Sequence, residues 1–82
     1  MAYVYILRSL RDKKYYIGST DDIEKRVNEH NNKLGAKSVK GKLPVKLVYF
    51  EERDDQKEAA RRESEIKGWS HLKKKVLVDN TT

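Results

Sequence analysis

Five consecutive residues near the N-terminus, Tyr3-Val4-Tyr5-Ile6-Leu7, constrain this chain more than any other stretch. On an extended backbone Tyr3, Tyr5 and Leu7 fall on one side and Val4 and Ile6 on the other, so the run is apolar on both faces. A strand of that kind must be covered on both sides. A chain of 82 residues buries only roughly 60% of its unfolded surface, so this run belongs at the centre of one small sheet with helices packed against it.

The remaining segments supply the neighbours. After a polar loop from Ser9 to Lys14, Tyr15-Tyr16-Ile17-Gly18-Ser19 reads as a second strand, and the short loop favours an antiparallel hairpin that sets Tyr5 beside Tyr16. Thr20-Asp21-Asp22 opens a helix over about 22–33, with Asp21 and Glu24 spaced as a capping box and Ile23, Val27 and Leu34 as its apolar stripe. The lysine-rich and glycine-containing segment Gly35 to Lys42 has no periodicity and reads as a loop, and Pro44 marks the start of a third strand, Val45 to Glu51. Asp54 or Asp55 caps a second helix whose one side carries Ala59, Ala60, Glu63, Ile66 and Lys67 and which stops at Gly68. A third helix follows, with Trp69, Leu72, Val76 and Leu77 directed inward. The predicted fold is α+β, a small α/β sandwich of order β-β-α-β-α-α with a three-stranded, mostly antiparallel sheet. Residues 1–78 form one domain and 79–82 a frayed tail.

Charge narrows the partners. Nineteen Lys and Arg against thirteen Asp and Glu leave a net charge of +6, a field that favours polyanions, nucleic acid before a membrane surface. The absence of cysteine removes disulfides and thiolate zinc sites, and with two histidines, His30 and His71, any metal is held by oxygen ligands. No run approaches the roughly 20 apolar residues of a membrane span and no signal-peptide pattern opens the chain, so the expected location is cytoplasmic.

Few residues resist a packing explanation. Glu63 does, because a carboxylate on an apolar helical stripe is costly to bury without a partner. Two readings stay open for it: a buried ion pair with a cation such as Arg26, or a ligand for a hard divalent ion such as Mg²⁺. Arg26 and His30, four apart, share one side of the first helix, where a guanidinium can grip phosphate and an imidazole can move a proton. By themselves they read as an ordinary solvated face. Tyr3, Tyr15 and Tyr49 read as sheet-face residues with hydroxyls in water, and Trp69 as a helix-junction residue. Lys33, Lys37, Lys40 and Lys42 in the loop, with Lys73, Lys74 and Lys75 in the last helix, offer contacts to phosphate, or equally a solvated surface.

Taken together, Tyr3-Val4-Tyr5, Tyr16-Ile17-Gly18, Arg26 and His30 on the next helix, and Glu63 within Ala60-Arg61-Arg62-Glu63 resemble the GIY-YIG nuclease superfamily over nearly the whole chain. The stretch from Glu63 to Ser70 and the three lysines after it are similar to its short stand-alone bacterial members, many without an assigned role. The resemblance departs at Tyr3, which stands where the superfamily has its first glycine.

What the resemblance implies is a metal-dependent endonuclease that hydrolyses phosphodiesters in DNA, structured or damaged DNA in repair or recombination among them. Tyr5 and Tyr16 would be the signature tyrosines, Arg26 would face the scissile phosphate, His30 would assist proton transfer, and Glu63 would hold one Mg²⁺ or Mn²⁺. Gly18 would keep the strand end open, and Lys37, Lys40, Lys42, Lys73 and Lys74 would contact the nucleic acid, DNA or alternatively RNA. A tyrosine activates water here only if the positive surroundings lower its pKa from about 10. With no room for an added binding domain, targeting would come from the domain itself, a protein partner or self-association. The alternative function is a non-catalytic nucleic-acid-binding module or accessory subunit on the same fold.

Overall fold

The computed structural model describes residues 1–32 and 43–80. Its elements run β1 (Ala2–Ser9), β2 (Tyr15–Thr20), α1 (Ile23–Asn31), β3 (Val45–Arg53), α2 (Gln56–Lys67) and α3 (His71–Asp79). This is the expected α+β order. The sheet is β2-β1-β3 with both pairings antiparallel, so the doubly apolar run lies in the central strand. Between Ile6 and Leu7 the pairing with β3 slips, from Tyr49 to Leu47, which leaves Val48 as an extra residue on β3.

Cross-strand partners share a face, so the register sorts the side chains into two layers. Tyr5, Leu7 and their partners Gly18 and Tyr16 face one way. Tyr5, Leu7 and Val45 are buried there, with Val27 of α1 and Leu43 and Leu47 against them. Val4, Ile6, Ser19 and Ile17 face the other way. On that side Ala2, Val4, Ile6, Ala59 and Ile66 form the second core, with Trp69, Leu77 and Val78 packed on it. Burying each large aliphatic side chain contributes about 1.5–3 kcal/mol, and Ile6, Leu7 and Ile66 are fully buried.

The connections explain how the elements are held. In the hairpin loop, the Ser9 hydroxyl accepts from the Arg11 and Asp12 amides at 3.0 and 3.1 Å, while Lys13 takes a left-handed φ of 65°. At the end of α1 the Asn31 amide group brackets Val45, donating to its carbonyl at 3.2 Å and accepting from its N–H at 2.9 Å. This side chain docks α1 to the start of β3.

Several local expectations need correction. Asp22, not Asp21, caps α1 by accepting from the Lys25 amide at 3.1 Å; a lysine therefore stands where a capping box needs Glu or Gln, and Glu24 lies off the motif. The helix ends at Asn31 rather than residue 33, and Leu34 lies outside the described residues. In α2, capped by Asp55, the inward stripe runs through Ala59 and Ile66 with Arg62 and Glu63 half-buried between them; Ala60, one position round the helix, is exposed. Leu72 and Val76 are 70% and 50% exposed rather than inward. Leu77 and Val78 anchor α3 to the core, and that rotation turns the stripe of residues 72 and 76 to solvent. Asp79 is the last residue of α3 and pairs with Lys75 at 2.7 Å, and residues 81 and 82 lie outside the described residues. Among the described residues no helix is long and apolar enough to cross a membrane.

Candidate functional site

Helix α2 packs over one face of edge strand β2, whereas on the other face α1 sits against β3 and β1, and at this edge a cavity of about 370 Å³ opens. It is walled by Tyr5, Tyr16, Gly18, Arg26, His30 and Glu63, so the residues singled out from β1, β2, α1 and α2 converge on one space.

Gly18 permits the convergence. It pairs with Tyr5, and the phenol ring lies across it so closely that a β-carbon would collide with the Tyr5 hydroxyl oxygen. Glycine is required here by the ring's approach rather than by backbone conformation, since no glycine among the described residues has positive φ. Tyr5 and Tyr16 share a face but are not side by side as expected: Tyr5 lies opposite Gly18 and Tyr16 opposite Leu7, a diagonal relation.

Tyr5 is buried, and its hydroxyl lies 3.2 Å from His30 Nε2. Burial raises the Tyr5 pKa above the ordinary 10, although hydrogen bonding and charge from Arg26 pull the other way. His30 does not stand on a solvated face; it is 3% exposed. One turn after Arg26, it points under the sheet because β1 and β3 cover that side of α1. Burial, then the Arg26 charge, lowers its pKa below 6.5, so it is a neutral imidazole at pH 7. Its Nδ1 is buried with no hydrogen-bond partner among the described residues.

Tyr16 sits at the rim and donates to Asp12 Oδ2 at 2.9 Å. Its pKa is raised by desolvation first and by the Asp12 hydrogen bond and charge next. The expected lowering of a tyrosine pKa is therefore absent at both positions: partial burial and a carboxylate outweigh the neighbouring cations.

Glu63 is half-buried and does not pair with Arg26. Oε1 accepts from the Ser19 hydroxyl at 2.7 Å, and Oε2 meets Lys67 Nζ at 2.6 Å. Arg26 instead lies 3.7 Å from Glu29, one turn along its own helix. The two residues approach the cavity from opposite sheet faces, which separates them. Among the described residues no three His, Cys, Asp or Glu side chains cluster as a metal cage. Glu63 still fits a hard divalent ion, which binds through one or two carboxylates and completes its shell with water and substrate phosphate. A metal ion at Oε2 would take the place of the Lys67 ammonium that now sits there.

The lysines divide. Lys74 lines the cavity, whereas Lys73 lies over the Trp69 ring at 4.3 Å and is thereby turned toward the helix junction. Lys33, Lys37, Lys40 and Lys42 lie outside the described residues. Nor does the Tyr49 hydroxyl reach for water; it donates to Glu51.

Sequence reasoning missed Asp12, Ser19 and a role for Lys67 beside Glu63. The spacing of Glu63 and Lys67, four apart, carried a signal. Nothing local marks Ser19 or Asp12, whose roles depend on strand register and loop conformation.

Comparison with known proteins places this geometry. The model of the GIY-YIG catalytic domain matches residues 1–75. A UPF0213 protein of Clostridium perfringens is 45% identical over 80 residues, covering 98% of this chain and 85% of that protein. One from Staphylococcus saprophyticus is 47% identical over 76 residues, covering 93% and 92% respectively. The solution NMR structure of a UPF0213 protein from Bacillus halodurans is similar with a TM-score of 0.61 and 38% identity, over 99% of this chain and 86% of that one.

Proposed function

This chain belongs to the GIY-YIG catalytic domain family, and from that premise we propose that it is a metal-dependent endonuclease hydrolysing phosphodiester bonds in DNA. The observation that carries the proposal is the single cavity at the β2 edge where Tyr5, Arg26, His30 and Glu63 meet.

Arg26 grips the scissile phosphate and neutralises charge that builds on its oxygens. Tyr5 and His30 act as a pair. Because the Tyr5 pKa is raised and that of His30 lowered, the ground state is a protonated phenol beside a neutral imidazole. The attacking water passes its proton to the Tyr5 oxygen as the phenolic proton moves to His30 Nε2, leaving an imidazolium; the water oxygen bonds to phosphorus while the bond to the leaving sugar oxygen breaks, and solvent protonates that oxygen. Tyr16, held by Asp12, lines the rim and positions the substrate. Glu63, oriented by Ser19, would hold one Mg²⁺ or Mn²⁺, which when bound supplies further neutralisation of phosphate charge. Structured or damaged DNA met in repair or recombination, within the cytoplasm, is the proposed substrate, with a protein partner or self-association assisting targeting.

The test is incubation with labelled single-stranded, duplex, flapped and four-way-junction DNA in Mg²⁺, Mn²⁺ or EDTA, beside Glu63→Ala. Cutting that needs the metal and Glu63 is expected. One observation favours a second reading, a nucleic-acid-binding module: both Glu63 oxygens are already engaged. On that reading binding is salt-sensitive, indifferent to Mg²⁺ and to Glu63→Ala, and no DNA is cut.

A further inference from the structure

Next to the cavity of Tyr5 and Glu63 lies another recess of about 530 Å³, bounded by the hairpin loop and by His71 at the start of α3. Tyr15 and Lys74 wall both spaces. The two spaces therefore adjoin along these residues.

The recess has the chemistry for a nucleotide. The Tyr15 and His71 rings are stacked with centroids 4.9 Å apart and planes 20° from parallel, and Arg8 lies over Tyr15 at 5.8 Å. His71 is exposed, so the stack ends in an aromatic surface open to solvent. Most nearby lysines are committed: Lys13 to the Leu10 carbonyl, Lys67 to Glu63, Lys73 to Trp69 and Lys75 to Asp79. Lys14 and Lys74 form no ion pair with the described residues and both face the recess. The acid of the recess, Asp12, is turned to its own hairpin: Oδ2 accepts from Tyr16 and Oδ1 from the Lys14 amide at 2.9 Å.

We infer that this recess is a subsite for an unpaired nucleotide flanking the phosphate held in the first cavity, its base against the Tyr15–His71 stack and its phosphates on Lys14 and Lys74. The occupant is unpaired because a base inside a duplex already has both faces stacked, whereas a single strand offers a face to an aromatic side chain. The inference rests on the phosphodiester-binding reading of the first cavity and adds single-stranded character beside the cut as a feature of the substrate.

Binding measured in EDTA keeps this separate from catalysis. A fluorescein-labelled ten-nucleotide single strand and its abasic counterpart are titrated at several salt concentrations. His71→Ala is expected to weaken binding of the intact strand by about fivefold or more and that of the abasic strand little, with His71→Phe restoring affinity. Lys14→Gln and Lys74→Gln should each reduce the slope of log affinity against log salt by about 0.7. Equal binding of both strands by His71→Ala and the unmutated protein, or unchanged slopes in both lysine variants, overturns the subsite. Failure of the unmutated protein to cut DNA with Mg²⁺ would sink the nuclease alone, because the EDTA titrations decide the subsite by themselves.

Discussion

The two edges of the sheet are built from similar residues and differ in what they leave open. Arg62 and Glu63 are consecutive in α2, and each reaches a different edge. At the β3 edge, Glu51 accepts from Tyr49, Arg53 and Arg62, and Arg62 also pairs with Glu65 at 2.6 Å. Burial pushes the Glu51 carboxyl up, but these hydrogen bonds and the Arg62 charge outweigh it and hold the pKa below the usual carboxylate value. The Tyr49 phenol is pushed up to about 12 by burial and by Glu51. At the β2 edge, Glu63 has one hydroxyl and one lysine, and a cavity beside it. The denser electrostatic network is structural. What marks the other edge as a site is space next to a partly satisfied carboxylate.

The sharpest way to break this contrast is to remove the two carboxylates in turn. Glu63→Ala is expected to lower cleavage by about a hundredfold or more while the thermal midpoint moves only a few degrees, since a partly exposed pair contributes about 0–1 kcal/mol. Similar activity in the mutant and the parent would remove the β2 edge as a catalytic site. Glu51→Ala should do the opposite, destabilising the fold by about 2–3 kcal/mol in urea titrations because Arg62, Arg53 and Tyr49 lose their acceptor. Its cleavage rate at a temperature where it is folded should stay within about twofold, well under the 1.4 kcal/mol of a tenfold change.

Gly18→Ala joins the two measurements. Its β-carbon collides with Tyr5, so a loss of about 1–3 kcal/mol of stability is expected together with reduced cleavage, through displacement of the phenol. Full activity in that variant would show that Tyr5 has freedom to move.

The smallest expected effects are in pH dependence, and again the edges separate. The lowered Glu51 pKa contributes stability that is present above the unfolded carboxylate value and lost as pH falls through the folded one, so Glu51→Gln should flatten stability at the acid end. His30 is lowered from 6.5, so below that pH the unfolded chain binds the extra proton and acidification again favours unfolding. Cleavage should fall in that same acid range as the imidazole is protonated, and His30→Gln should remove that limb from the rate profile. An acid limb that persists in His30→Gln would assign it to another group.

Most of the fold was legible in the sequence, as was much of the candidate site's residue list. Tyr5, Gly18, Arg26, His30 and Glu63, the residues that the family resemblance singles out, all line one cavity; spacing alone placed Arg26 and His30 on one side of their helix without marking that side as a site. Whether a face is wet was less legible. His30 looked solvated and is buried; Leu72, Val76 and Ala60 looked inward and are exposed. The rotation of each helix against the sheet decides these cases, and side chains distant in sequence set that rotation.

By itself the sequence determined the elements, their order, the central place of β1 and the start and stop of α2 at Asp55 and Gly68, all consequences of contacts spanning a few residues. Tertiary structure alone decided that Glu63 pairs with Lys67 and Ser19 rather than Arg26, that Tyr5 meets His30, and that both tyrosine pKa values rise. Ser19 and Glu63 lie 44 positions apart, and Tyr5 and His30 lie 25 apart. Such pairs form only when hydrophobic burial closes the chain onto both faces of β1, and their electrostatics follow from the water that this closure removes.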